Sequence, residues 1–163
     1  MRIIYIIFFL FFSILINAQC SDLIKLREVY TGSHHDLKKC NELFNLSKKC
    51  DIKLDPVEFS YNILANLIKC NFLYNPLIKY KKFKDSTKLL DRMIHLNPQN
   101  TEIRFLRYLA QLNCPIFLGY RSDLEHDYKL IMSNIKSEDE DLKFFILSIL
   151  NNLNNEGASY TSK

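Results

Sequence analysis

The chain has 163 residues, a length that predicts a single domain with one hydrophobic core. Its hydrophobic fraction of 48% and charged fraction of 25% exclude a disordered chain and a collagen-like or low-complexity array. The net charge of +4 falls to +3 without residues 1–18, which is too small for the basic footprint of a nucleic-acid-binding protein. The three glycines form no phosphate-binding loop, so the sequence predicts no cofactor.

The N-terminus has the pattern of a secretory signal peptide, with one positive charge at Arg2, an apolar run over 3–16 and a small residue, Ala18. A transmembrane helix needs about 20 apolar residues, so this run is too short to predict one. We therefore expect a signal peptide over 1–18 that is cleaved between Ala18 and Gln19. The mature protein would be exported, either periplasmic or secreted.

A second interpretation of the leader takes Cys20 as the lipid-modified first residue of an envelope lipoprotein. Lipoprotein signals place a small residue directly before that cysteine and usually a leucine at the third position before it. Gln19 and Asn17 occupy these positions here. Soluble export is therefore the expected outcome, with lipid anchoring through Cys20 or an uncleaved anchor as alternatives.

Beyond the leader, apolar residues recur at helical spacing without strand-like alternation, which predicts an all-α fold. Asp55 and Asn75 each precede a proline, and this pair is a strong helix start because the side chain accepts from a free amide while proline needs no amide partner. We expect one helical domain over 19–154 and a flexible tail over 155–163. The seven predicted helices begin near Ser21, Ser33, Pro56, Pro76, Thr101, Ser122 and Ser137.

Short helices joined by tight turns predict stacked antiparallel hairpins. The segment 88–100, which ends in Asn97-Pro98, resembles the second helix and closing turn of a tetratricopeptide repeat, so the hairpins are expected to be tetratricopeptide-like. The wider run 75–120, from Asn75-Pro76 to Tyr120, resembles an uncharacterised family of small exported proteins of Bacteroidetes. That resemblance implies an envelope or secreted location.

The predicted helix after Pro76 combines an apolar stripe with many lysines. We expect its two aromatic residues, Tyr80 and Phe83, in the core and its lysines on a solvated face, with contact to an anionic envelope surface as the functional alternative. The apolar stripe consists of Leu77, Tyr80, Phe83, Thr87, Leu90 and Ile94. The lysines are Lys79, Lys81, Lys82, Lys84 and Lys88.

Five cysteines in an exported chain suggest that some pair as disulfides. Cys40 and Cys50 are about 15 Å apart if one helix holds both, which is too far for a bond. In an antiparallel hairpin that turns near residue 53, Cys40 lies opposite the region just before Cys70. The sequence therefore favours a Cys40–Cys70 disulfide, with buried reduced thiols as the alternative.

Arg104, Arg107 and Gln111 form a polar stripe on a predicted helix that is otherwise apolar nearly all round. One interpretation is a groove in which two guanidinium groups bind an anion of a partner. The alternative is internal neutralisation by acidic residues of the next helix. The candidate acids are Asp123, Glu125 and Asp127.

Metal and catalytic sites are not predicted. His34 and His35 are adjacent, so their side chains point apart, and His95 is isolated near a helix end. Asp123, His126 and Asp127 share a helix but would need a further ligand from elsewhere.

The expected function is that of a non-catalytic binding or scaffolding module of the cell envelope. Its partner would be a protein or an anionic envelope ligand, with no nucleic acid. Membrane contact would come only through the signal peptide or a lipidated Cys20. The alternatives are a small envelope enzyme that uses Glu102, Arg104 and acids of the next helix, or a lipid-anchored structural protein.

The first prediction concerns processing. Expression in a host that exports the chain should give a protein with the intact mass of residues 19–163, because cleavage after Ala18 removes the apolar leader. Mass spectrometry of the exported protein is the measurement. A mass that retains 1–18, or that carries acyl chains on Cys20, would contradict soluble export.

Overall fold

The computed structural model of the protein describes residues 22–161, with side chains as far as residue 154. The predicted cleavage site at Ala18 and Gln19, and Cys20, lie outside the described residues. The described chain is all-helical, with no strand. The helices are α1 (Leu23–Thr31), α2 (Leu37–Ser47), α3 (Pro56–Lys69), α4 (Pro76–Leu96), α5 (Thr101–Leu112), α6 (Leu124–Asn134) and α7 (Glu140–Thr161). Within residues 22–161, 3-10 turns cover Cys70–Phe72, Ile116–Leu118 and Ile135–Ser137.

Short polar side chains begin most of these helices. Asn75 accepts hydrogen bonds from the amides of Leu77 and Ile78, and Asn100 accepts one from Ile103. Each bond satisfies an amide that has no partner within the helix.

Two predicted caps are corrected by the structure. Asp36, not Ser33, caps α2 by accepting from two amides, while the Ser33 hydroxyl donates to the Tyr30 carbonyl in the preceding turn. Asp55 precedes Pro56 as expected, but its side chain makes no cap bond. Its Oδ2 instead accepts from the Asp51 amide and so closes the turn before α3.

Helix α3 lies at the centre of the packing. It contacts α1, α2, α4 and α5, while α6 packs against α5. Every helix contributes to one hydrophobic core, in which Phe145 of α7 packs its ring edge-on against Phe105 of α5 and near Tyr30 of α1. The predicted all-α stack of helical hairpins is therefore observed.

Helix α4 extends beyond this core. Its second half carries the buried residues Thr87, Leu90 and Ile94, as the apolar stripe predicts. Its first half does not, since Leu77 is 79% exposed and Tyr80 is 52% exposed. The expectation that Tyr80 lies in the core is wrong, because this residue lines an open cavity and is not part of the hydrophobic core.

Helix α7 runs further than predicted. Its backbone is helical to Thr161, whereas the sequence predicts a flexible tail from residue 155. No described helix is both long and apolar enough to cross a membrane.

The predicted Cys40–Cys70 disulfide is not formed, since both thiols are free in the structure. The Cys40 thiol donates to the carbonyl of Ala65, and the Cys70 thiol donates to the carbonyl of Asn66. Cys40 thus lies beside Ala65 of α3, five residues before Cys70, which lies in the 3-10 turn that follows. Cys114 is also free, and Cys50 is disulfide-bonded.

Candidate functional site

The polar stripe of α5 meets a buried carboxylate. Arg104 donates from Nη1 to Asp127 Oδ1 at 2.9 Å, and Gln111 donates from Nε2 to Asp127 Oδ2 at 2.8 Å. Arg107 donates to both oxygens at 2.8 Å, through Nε and Nη2. Asp127 is 0% exposed and accepts four hydrogen bonds, which fill the acceptor positions of its two oxygens.

The donors of the stripe have further internal partners. Arg104 Nη2 donates to the Pro98 carbonyl at 2.8 Å, and Gln111 Oε1 accepts from the Asp123 amide. Burial disfavours the charge of Arg107, but the hydrogen bonds and charge of Asp127 outweigh burial and hold the Arg107 pKa above its ordinary value. The three residues are at most 8% exposed, so their side chains do not line an open groove. The interpretation as an anion-binding groove is thus corrected in favour of internal neutralisation.

A second buried ion pair lies at the other end of α5. Arg27 of α1 donates from Nε and Nη2 to the two oxygens of Glu102, at 2.8 and 2.6 Å. The Tyr61 hydroxyl of α3 donates to Glu102 Oε1 at 2.8 Å. Burial, and then the charge of Glu102, raise the pKa of Tyr61. Glu102 and Arg104, the residues of the enzymatic alternative, thus belong to two separate internal networks.

The described residues contain no group of three or more His, Cys, Asp or Glu side chains that could hold a metal ion. His126 is exposed, whereas Asp127 one residue later is buried and occupied by α5. Asp36 is engaged as the cap of α2, next to His35.

A cavity of about 450 Å³ opens between α3, α4, α5 and the loop after α5. This volume lies within the range of about 300–1,000 Å³ that is usual for small-molecule sites. Its inner wall is aliphatic and aromatic, and its outer rim is exposed. The wall includes Leu64, Leu67, Ile68, Phe83, Leu109 and Ala110. The rim includes Pro76, Lys79, Tyr80 and Phe117.

The titratable groups of this cavity are few. Burial raises the pKa values of the Cys70 and Cys114 thiols, so both stay protonated at neutral pH. Burial, and then the charge of His35, lower the pKa of His34, whose ring packs edge-on against Tyr30 at 5.0 Å between centroids. Of the side chains that the structure describes, Lys79 is the one in the lining with a formal charge at neutral pH, and no described carboxylate pairs with it.

The sequence alone does not predict this cavity, because its walls come from different helices and loops whose relative positions are not encoded in local patterns. Of the predicted basic surface, Lys79 lies at the rim, Lys82 is half-buried, and Lys81, Lys84 and Lys88 are exposed. The signal available in the sequence was Phe117, an aromatic residue in a short segment between Pro115 and Gly119.

No protein-family model matches the chain, and no similar protein was found among curated proteins or solved structures. The resemblance to the Bacteroidetes family therefore stays a prediction.

The second prediction concerns the buried carboxylate. Asp127→Asn should lower the free energy of unfolding by about 3–5 kcal/mol, because it removes the charge that compensates two buried guanidinium groups. Urea unfolding followed by circular dichroism is the measurement. Asp123→Asn is the matched control, since the Asp123 side chain is 51% exposed and lies 3.8 Å from Arg107. This variant should lower the free energy of unfolding by less than about 1 kcal/mol. Similar losses for both variants would contradict the internal network.

The third prediction concerns pH. Because the folded protein lowers the pKa of His34, the unfolded chain binds more protons below the ordinary value of 6.5, and stability should fall as the pH drops through that value. In His34→Gln, the free energy of unfolding, measured with urea, should decrease less between about pH 7.5 and 5.5 than in the unmodified protein. His35→Gln, at the exposed neighbour, is the control and should keep most of the decrease. An unchanged pH profile in His34→Gln would exclude this origin.

Proposed function

We propose that the protein is an exported, non-catalytic binding module and that the cavity between α3, α4 and α5 is its ligand site. The support for export is the leader pattern over 1–18. The support for binding is the cavity itself, which combines an apolar wall with an open, partly charged rim. The single observation that carries the proposal is this cavity of about 450 Å³.

The chemistry of the cavity favours binding over catalysis. An enzyme site brings together titratable groups that can exchange protons or attack a substrate. Here the lining offers two protonated thiols, an imidazole without an acidic partner and one lysine. The buried acids Glu102 and Asp127, which could have served as a base, are saturated by arginine, glutamine and tyrosine donors.

The proposed location is the periplasm or the secreted fraction, with attachment to the envelope through a lipidated Cys20 as the alternative. The tetratricopeptide-like character of the hairpins belongs to the same proposal, and its support is the segment 88–100. The anion-binding role first considered for Arg104 and Arg107 is not part of it, because Asp127 occupies both side chains.

The fourth prediction tests the cavity as a binding site. Ala110→Phe should weaken binding of the neutral apolar dye Nile red about tenfold or more, because the added ring takes up space at the wall of the cavity. Dye fluorescence titration is the measurement, and Ala110→Ser, which keeps the space, is the control. If Ala110→Phe folds by circular dichroism and binds the dye as the unmodified protein does, the cavity is not the site.

A further inference from the structure

The cavity has two chemically distinct ends. Leu64, Leu109 and Ile68 form its deep wall and are almost completely buried. At the opening, Lys79 is exposed and Phe117 is 85% exposed. A ligand that matches both ends has an apolar part that enters between α3 and α5 and a polar group that stays at the opening.

The charge at the opening selects the sign of that polar group. Lys79 lines the cavity, and the charges of Lys79 and Lys82 both act on the Cys70 thiol in the wall. Among the described residues, no aspartate or glutamate lines the cavity. No described carboxylate forms an ion pair with Lys79 or Lys82. The lining is therefore complementary to a single anion.

The size and polarity of the wall select a slender ligand. One turn of an α-helix is about 10–12 Å across with its side chains and rises 5.4 Å, so a single helical turn already needs about the whole volume of 450 Å³. An extended peptide would bring backbone amides and carbonyls that need partners. The lining offers the Asn71 and Asn113 side chains, both exposed, and an otherwise apolar deep wall.

We propose that the ligand is a single-chain anionic amphiphile of the fatty-acid class, with its alkyl chain between α3 and α5 and its carboxylate beside Lys79. This inference rests on the proposed binding function and adds the class of ligand. The transfer of the alkyl chain from water to the apolar wall contributes most of the binding free energy. The carboxylate beside Lys79 sets the orientation of the ligand in the cavity.

The experiment compares three probes with the same total number of carbon atoms at concentrations below micelle formation. These are laurate, the neutral dodecanol and the cationic dodecylamine, and their affinity is measured by displacement of Nile red from the purified full chain. Laurate should bind most tightly, and its advantage over dodecanol should shrink as NaCl is raised, because salt screens an exposed ion pair.

Variants at the opening separate the two ends of the ligand. Lys79→Gln should weaken laurate about two- to five-fold and leave dodecanol unchanged, as expected for loss of one exposed ion pair. Lys88→Gln is the matched control, since it removes an exposed lysine of α4 that does not line the cavity. Phe117→Glu adds a negative charge at an exposed position, so it should weaken laurate more than dodecanol without disturbing the core.

The outcomes distinguish this inference from the function on which it rests. If Lys79→Gln affects laurate and dodecanol equally, or if dodecylamine binds as tightly as laurate, the anionic ligand class is wrong while a binding cavity remains. If none of the three probes displaces the dye, the fatty-acid class is wrong; if Nile red itself does not bind, the proposed function fails as well.

A further experiment distinguishes binding in the cavity from binding at the outer surface of α4. If laurate does not bind but phosphatidylglycerol vesicles sediment both the unmodified protein and Ala110→Phe, the exposed apolar and basic surface of α4 recognises lipid, and the inference is overturned. If Ala110→Phe is unfolded, Phe117→Glu alone decides whether the opening receives an anion.

Discussion

The carboxylate of Asp127 is the interaction on which the arrangement of the second half of the chain depends. Helix α5 is buried nearly all round, yet it carries two guanidinium groups and an amide along one side. Burying those groups without partners would cost several kcal/mol each, so α5 can be buried only if another element supplies acceptors. Asp127 supplies four acceptor positions at once and thereby fixes α6 against α5.

The same contact shapes the connection between the two helices. With α6 held in place, Arg121 reaches back to donate to the carbonyls of Leu112 and Cys114, and the Tyr120 hydroxyl donates to Asp91 of α4. The segment between α5 and α6 thus packs against the C-terminal end of α5, and its residue Phe117 is exposed. At the other end of α5, Glu102 binds α1 and α3. Two networks therefore hold α5 as one wall of the cavity.

Sequence patterns were informative where the physical cause is local. Asn75-Pro76 and Asn97-Pro98 placed the start and end of α4, because capping and proline sterics act within a few residues. The sequence also limited the polar stripe of α5, which includes Arg104, to two interpretations, a groove or an internal network. A helix as apolar as α5 has to be packed on most sides, so its polar residues need one of these two environments. The sequence could not decide between them, because the deciding partner comes from another helix.

The incorrect expectations concern contacts that depend on the relative position of whole helices. Periodicity puts Leu77 and Tyr80 on one face of α4, but it contains no information about whether another helix covers that face. The predicted register is close to the observed one, since Cys40 lies beside Ala65, just before Cys70 as expected; the predicted bond failed because Cys70 lies five residues further along the chain than Ala65. The cavity could not be predicted from the sequence for the same reason, because it is formed by the relative positions of several helices.

The four-residue network around Asp127 also limits how this sequence can change over evolutionary time. Loss of Asp127 alone leaves two buried cations without their counter-charge. Loss of Arg104 alone frees one acceptor position of Asp127, and loss of Arg107 alone frees two. Coordinated replacement by apolar residues of similar volume, in contrast, is often neutral or stabilising in buried ion clusters. Descendants of this chain should therefore keep the whole network or lose it together, so that its four positions covary while the surrounding apolar positions drift one at a time.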